Sequence, residues 1–281
     1  HDSYLNIAGE AQVVDACRRC LASLFTDRAI VYRRNNGFDH LKVALSVGVM
    51  EMVRSDLAAS GVIFTLDTES GFRDVVFLTG SYGLGENVVQ GLVAPDEFYV
   101  HKPTYQAGYR AVLRRSLGAK ARKLVYGPRG RGLVDRATPR RDRERFCLSD
   151  QDVLALAGHA IRIEAHYSAL AGHPQPMDIE WAKDGRSGRL YIIQARPETV
   201  ASQQAAGTFE RYRLSGAGRV LAEGKAVGEK IAAGRVRHIA RTEDLSTLRP
   251  GEVMAARATS PDWEPVMKTA GAIVTAEGGR T

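Results

Sequence analysis

The chain is poor in cysteine: Cys17, Cys20 and Cys147 are the only three in 281 residues. An odd, sparse set cannot complete an intramolecular disulfide framework, which excludes the disulfide-stapled secreted class and points to reduced thiols. Cys17 and Cys20 stand as Cys-Arg-Arg-Cys, half of a zinc or redox spacing, but no second Cys or Cys/His pair completes a metal site. The pair reads as two residues on one helix. Long apolar runs are also missing: none reaches the roughly 20 residues that cross a bilayer, and no basic segment followed by an apolar core opens the chain. These absences predict no membrane partner and a cytoplasmic location. Aromatic residues reach only 7%, and Asp plus Glu number 32 against 39 Lys plus Arg, for a formal charge of +7. Much of the excess lies between Arg110 and Arg145. That stretch lacks a nucleic-acid module and has few aromatics for stacking, so it reads as a solvated surface of loop and strands, without a nucleic-acid partner.

What is present is enough for one large or two ordinary domains, with 44% hydrophobic residues to build cores. Residues 10–26 have helical spacing, with Val13, Val14, Cys17, Leu21, Leu24 and Phe25 on the side expected to pack. Val43 to Val53 alternates as a strand does, and Ser60 to Asp67 and Asp74 to Thr79 read as further strands. The glycine-rich run from Gly80 to Asn87 matches neither the Walker pattern nor the dinucleotide fingerprint, and reads as a strand-to-loop turn. Ser149-Asp150-Gln151-Asp152 is a helix-start signature for a helix over 149–168. Val200 to Tyr212 has linker composition. Beyond it, Val253 to Ala256 and Ala272 to Thr275 read as strands of a second, incomplete domain.

The chemistry concentrates in two segments, Pro176 to Trp181 and Gln194 to Thr199. Strand periodicity puts Asp178 and Glu180 on one face, and Leu190, Ile192, Gln194 and Arg196 on one face of the following run. Lys183-Asp184-Gly185-Arg186-Ser187-Gly188 between them is a hairpin turn signal that folds the two polar sets together. Two carboxylates facing an amide and a guanidinium suit a divalent cation on nucleotide phosphates. An amphipathic hairpin with a merely solvated polar face satisfies the same alternation.

DRAIVYRRNNGFDH, MVRSDLAASGVIFTLDTESG, GLGENVVQGLVAPDEFYVHKP, DIEWAKDG, QARPET and SPDWEPVMKTAGAIVTAEGGRT follow one another across nearly the whole chain. In that order they resemble the phosphoenolpyruvate-utilising enzyme family of phosphoenolpyruvate synthases, pyruvate phosphate dikinases and rifampicin phosphotransferases. QARPET and DEFYVHKP look more like its synthase branch. The resemblance implies an α/β (α+β) fold: a partial ATP-grasp nucleotide-binding lobe over 1–200, a linker over 201–212, and part of a swivelling phosphohistidine domain over 213–281. It also implies ATP and Mg2+ as ligands. By matched position Asp178 and Glu180 hold magnesium, Glu180 thereby also binding the nucleotide, Gln194 and Arg196 are the catalytic pair that contacts its reacting phosphates, and Glu51, Met52 and Val53 lie against the adenine. Met50 stands where the family often has glutamine.

In the family the terminal pyrophosphoryl group of ATP passes to a histidine, and in the synthases phosphohistidine then phosphorylates pyruvate in a distant barrel domain. The acceptor Cys-His is expected directly after Thr281, and the lysine and arginine that grip ATP before Tyr4-Leu5-Asn6, with Arg33 and Arg34 no substitutes by order. The chain thus reads as an internal fragment, expected alone to make neither phosphohistidine nor phosphoenolpyruvate. It departs from the family in an added loop, Ser168 to Gln175, before the carboxylate strand. A fragment of a sibling kinase such as rifampicin phosphotransferase, or a non-catalytic interaction module, remains the alternative. No feature isolates a subunit interface.

Overall fold

A computed structural model describes residues 2–35, 37–199, 213, 215–216, 218–224, 226–227, 231–259 and 263–276. The linker expected over 201–212 lies outside them, as do residues 277–281, which the expected acceptor motif would follow. In chain order the elements are α1 (Glu10–Ala22), α2 (Asp27–Asn35), β1 (Ala59–Phe64), β2 (Val75–Tyr82), α3 (Glu86–Val89), β3 (Asp96–His101), α4 (Lys102–Gln106), β4 (Val112–Ser116), β5 (Arg122–Tyr126) and β6 (Leu133–Ala137). They continue with α5 (Arg140–Arg143), α6 (Asp150–Ala171), β7 (Met177–Lys183), β8 (Leu190–Pro197), β9 (Val236–Ile239), β10 (Val253–Ala256), α7 (Glu264–Met267) and β11 (Ala272–Thr275). The fold is mixed α/β, and its main sheet is antiparallel with six strands in the order β4-β3-β2-β1-β7-β8.

Alternation along β1, β2, β3 and β7 turns Ile63, Val76, Leu78, Phe98, Val100, Met177, Ile179 and Trp181 to one face, where α6 covers them with Val153, Leu156, Ala157 and Ala160. That spacing of three, four and seven is the stripe a packed helix needs. Close approach inside this core demands glycine: a Cβ on Gly61 would sit 2.0 Å from the Thr79 carbonyl oxygen. Helix α6 starts as expected. Ser149 Oγ accepts from Asp152 N at 3.2 Å and Asp152 Oδ2 accepts from Ser149 N at 3.1 Å, the reciprocal capping box. Its end differs from the expectation. Ser168 to Ala171 extend the helix, Gly172 closes it at φ 72°, and Gln175 N returns to Ser168 Oγ at 2.9 Å. The first half of the added segment is therefore one more helical turn, followed by a short tied exit, because nothing helix-breaking precedes Gly172.

Three other expectations change. Val43 to Val53 forms no strand, since strand backbone needs a ladder partner and no described segment pairs with it. Helix α1 forms, yet of its residues only Ala16 is buried; Leu21 is 46% exposed and Val14 and Phe25 also face out. The basic stretch is not all solvated surface. Lys120 is 0% exposed, with φ 41°, and its ammonium meets the equally buried Asp96. Asp96 also accepts Gly118 N and Cys147 N, each at 2.8 Å, so one carboxylate knots three separate segments. Around it β5 and β6 pair as a two-stranded ribbon.

Toward the carboxyl end β9, β10 and β11 form a parallel sheet in the order β11-β10-β9, over a small core of Ile239, Leu245, Leu248, Met254, Ala256 and Trp263. The expected strands at 253–256 and 272–275 are β10 and β11. Among the described residues no helix is long and apolar enough to cross a membrane.

Candidate active site

The β7–β8 hairpin sets the candidate site at the edge of the main sheet. Its register pairs Asp178 with Arg196 and Glu180 with Gln194, so the expected four polar side chains share one face, opposite the core. Leu190 and Ile192 do not share it. The register slips between Glu180 and Trp181, leaving Ile193 as an extra residue on β8, after which Ile192 pairs with Trp181 and Leu190 with Lys183. Leu190, Ile192 and Ala195 accordingly pack on the core while Gln194 and Arg196 face out. A bulge inverts the inside–outside phase of a strand, which simple alternation through 190–196 does not reveal.

Arg196 donates from Nε at 2.9 Å and Nη2 at 2.7 Å, both to Asp178 Oδ2. The guanidinium is 68% exposed and the carboxylate 15%, so Arg196 stays reachable from solvent while Asp178 is held in place. The same row continues across the sheet from Asp178 to Phe64, Phe77 and Tyr99, whose stacked and tilted rings back the polar edge. Glu180 is half-buried. Burial, then the Asp178 charge, pushes its carboxyl above the ordinary range, with Arg196 opposing. Two carboxylates crowding one face raise the energy of the doubly charged state, which a divalent cation would relieve.

The hairpin is braced at both ends of its inner side. Lys183 Nζ bonds Asp152 Oδ2 at 2.7 Å, joining β7 to the cap of α6, and Met177 N bonds Thr65 Oγ1 at 2.8 Å beside β1. Lys102 Nζ reaches Thr65 O at 2.5 Å and both Glu164 oxygens, at 2.9 and 2.7 Å, and burial holds this ammonium below its usual range against the pull of Glu164. The β7–β8 connection spans Asp184 to Arg189: Asp184 N donates to Arg189 O and Gly188 N to Asp184 O, both at 2.8 Å, and Gly188 takes the left-handed φ of 72°.

Glu51, Met52 and Val53 do not join the carboxylates directly. Glu51 is exposed, Met52 and Val53 are half-buried, and Met50 is 66% exposed. They lead into Arg54, whose amide donates to Asp184 Oδ2 at 3.2 Å and whose carbonyl accepts Gly185 N at 3.0 Å. The turn thus ties the segment to the hairpin. Asp184 and Arg54 were not singled out by site chemistry in the sequence; the Asp-Gly dipeptide marks the turn but not its partner. Arg33, near the amino end, is buried against Leu24 O and His40, a packing role.

With this geometry in view, residues 1–214 match the pyruvate phosphate dikinase AMP/ATP-binding domain, and residues 248–281 match the mobile domain of PEP-utilising enzymes. The chain belongs to the family defined by that AMP/ATP-binding domain. Its similar relatives are phosphoenolpyruvate synthases. That of Pseudomonas aeruginosa is 56% identical over 283 residues, covering 100% of this chain and 35% of the relative. That of Escherichia coli is 50% identical with the same coverage. The Pyrococcus furiosus protein is 37% identical over 286 residues, covering 100% of this chain and 33% of the relative. The chain thus spans about a third of the length of the curated relatives it matches.

Proposed function

We propose that the chain is the ATP-binding portion of a phosphoenolpyruvate synthase, with a partial ATP-grasp lobe over 1–200, a linker over 201–212 and part of a swivelling domain over 213–281. The parent would convert ATP, pyruvate and water into AMP, phosphoenolpyruvate and phosphate, with pyruvate bound by a domain beyond this portion. The observation that carries the reading is the hairpin register, which sets Asp178 and Glu180 opposite Arg196 and Gln194 on one outward face.

In this reading Asp178 and Glu180 hold Mg2+. Among the described residues no cluster of three or more His, Cys, Asp or Glu forms a closed metal cage. What supports magnesium is the Asp178–Glu180 pair on one face, since that ion takes one or two carboxylates and completes its shell with water and nucleotide phosphates. When bound, the cation supplies charge neutralisation for the phosphates. Arg196 swings from Asp178 Oδ2 to a phosphate oxygen, its guanidinium already exposed, and Gln194 donates its amide beside it. Glu51, Met52 and Val53 border the adenine, the half-buried Met52 and Val53 giving it apolar contact. These groups position and neutralise; phosphoryl transfer needs little more from the protein at this lobe.

Glu180→Gln tests the reading. Removing the charge leaves shape intact but withdraws a ligand, so calorimetry should show the affinity for ATP with magnesium falling about tenfold or more. Stability moves the other way. Because the folded carboxyl titrates above its unfolded value, its charge costs stability as pH rises from the ordinary carboxylate range through the raised pKa. At neutral pH the variant should therefore unfold at the parent's temperature or above. Unchanged magnesium-dependent ATP binding in the folded variant would remove Glu180 from the metal site.

A further inference from the structure

The β7–β8 turn does more than reverse the chain. Asp184 accepts Arg186 N at 2.8 Å, Ser187 N at 2.7 Å and Ser187 Oγ at 3.1 Å, besides Arg54 N at 3.2 Å. Arg54 is 130 positions earlier, and both of its backbone polar groups are taken by Asp184 and Gly185. Its side chain is turned elsewhere: Nε and Nη2 bond Asp56 at 2.8 and 2.9 Å, and the guanidinium covers the Tyr126 ring at 4.6 Å. Leu57 leaves no slack. A Cβ on Gly185 would come within 2.4 Å of Leu57 Cβ and 2.7 Å of its backbone carbon. The backbone bonds from Ser187, Arg186 and Arg54 hold the Asp184 carboxyl down at about 2, so it is ionised wherever the protein works.

We infer that Asp184 is a positioning residue: by clamping the Arg54 backbone it fixes residues 51–53 against the carboxylate hairpin, so that the base and the phosphates of one nucleotide are gripped as a unit. The inference rests on the nucleotide reading above and goes beyond it, since no role was assigned to this turn. Met50 to Val53 belong to no helix or strand, so the clamp at the next residue, with the bond from Ser55 N to Val53 O at 2.8 Å, anchors their carboxyl end. Glu180 lies four residues before Asp184, about 13 Å along an extended strand. An extended nucleoside triphosphate reaches over a distance of that order. Two half-sites at the ends of one ligand cooperate only when their spacing is held, because a free segment must be ordered at each binding event.

The test compares the full-length parent with its Asp184→Ala and Asp184→Asn variants, using magnesium ATP and magnesium tripolyphosphate as calorimetric probes. Hydrogen exchange at the Arg54 amide is followed without ligand. Losing a charge-assisted acceptor should speed Arg54 exchange and weaken ATP binding about tenfold, while tripolyphosphate, which has no base, changes less than about twofold. Asp184→Asn, which keeps an acceptor oxygen, should recover part of the loss. Equal loss for both ligands would make the turn a general support of the fold and overturn the inference, as would unchanged ATP binding or unchanged Arg54 exchange. If the full-length parent, with its amino-terminal phosphate-gripping residues, binds neither probe, the nucleotide reading itself falls. Failure of the clamp stays separate, because the exchange readout needs no ligand.

Discussion

Helices α1 and α6 begin from similar sequence signals and end in different surroundings. Both show apolar residues at helical spacing, yet α6 buries Val153, Leu156, Ala157 and Ala160 under the main sheet, whereas α1 buries Ala16 alone and leaves Val14 and Leu21 facing out. Periodicity tells which face of a helix would be buried, not whether a neighbour covers it. The same contrast separates β1 from Val43 to Val53. Each is rich in β-branched and apolar residues, but β1 lies between β2 and β7, and the earlier run has no pairing edge among the described residues.

The contrast can be broken or sharpened by mutation, with unfolding in denaturant as the measurement. Asp96→Ala should have the largest effect, about 3–5 kcal/mol, because it leaves Lys120 charged and buried and takes the acceptor from two amides. A smaller loss would mean that Lys120 finds another outlet. Leu156→Ala, at the fully buried centre of α6, should cost about 2–5 kcal/mol through lost burial and a residual cavity. Ser149→Ala removes the cap of the same helix and should cost about 1 kcal/mol. Leu21→Ser on α1 should stay within about 0.5 kcal/mol, as exposed positions do. A loss at Leu21 as large as that at Leu156 would show that α1 packs in solution against something this arrangement does not reveal.

The main sheet and its covering helix were legible because they follow local rules. Ser149 and Asp152 announce α6, alternation announces β7, and short β-branched and aromatic runs announce β1 and β2. The pairing of Asp178 and Glu180 with Gln194 and Arg196 could likewise be read, because a hairpin turn joins two alternating runs. What escaped depends on residues far apart. A lysine in a basic run looks solvated until Asp96, 24 positions earlier, is known to face it. Asp184 reads as a turn former until Arg54 is placed against it. The extra residue at Ile193 is invisible for another reason: Ile192 and Ile193 are both apolar, so no break in pattern shows which one is unpaired.

That extra residue makes the orientation of Gln194 and Arg196 a matter of counting. The strand is read in twos from the core side at Leu190 and Ile192, and the odd member between Ile192 and Gln194 is what flips the reading frame of the side chains. Identity at position 193 can drift among residues that fit a sheet edge, and Gln194 and Arg196 stay where they are. Loss of the Ile193 codon would leave them there too, since Trp181–Ile192 and Glu180–Gln194 would then follow one another as a regular ladder with Arg196 still outward. Over evolutionary time this one position should therefore tolerate loss as well as replacement, unlike the paired positions on either side of it.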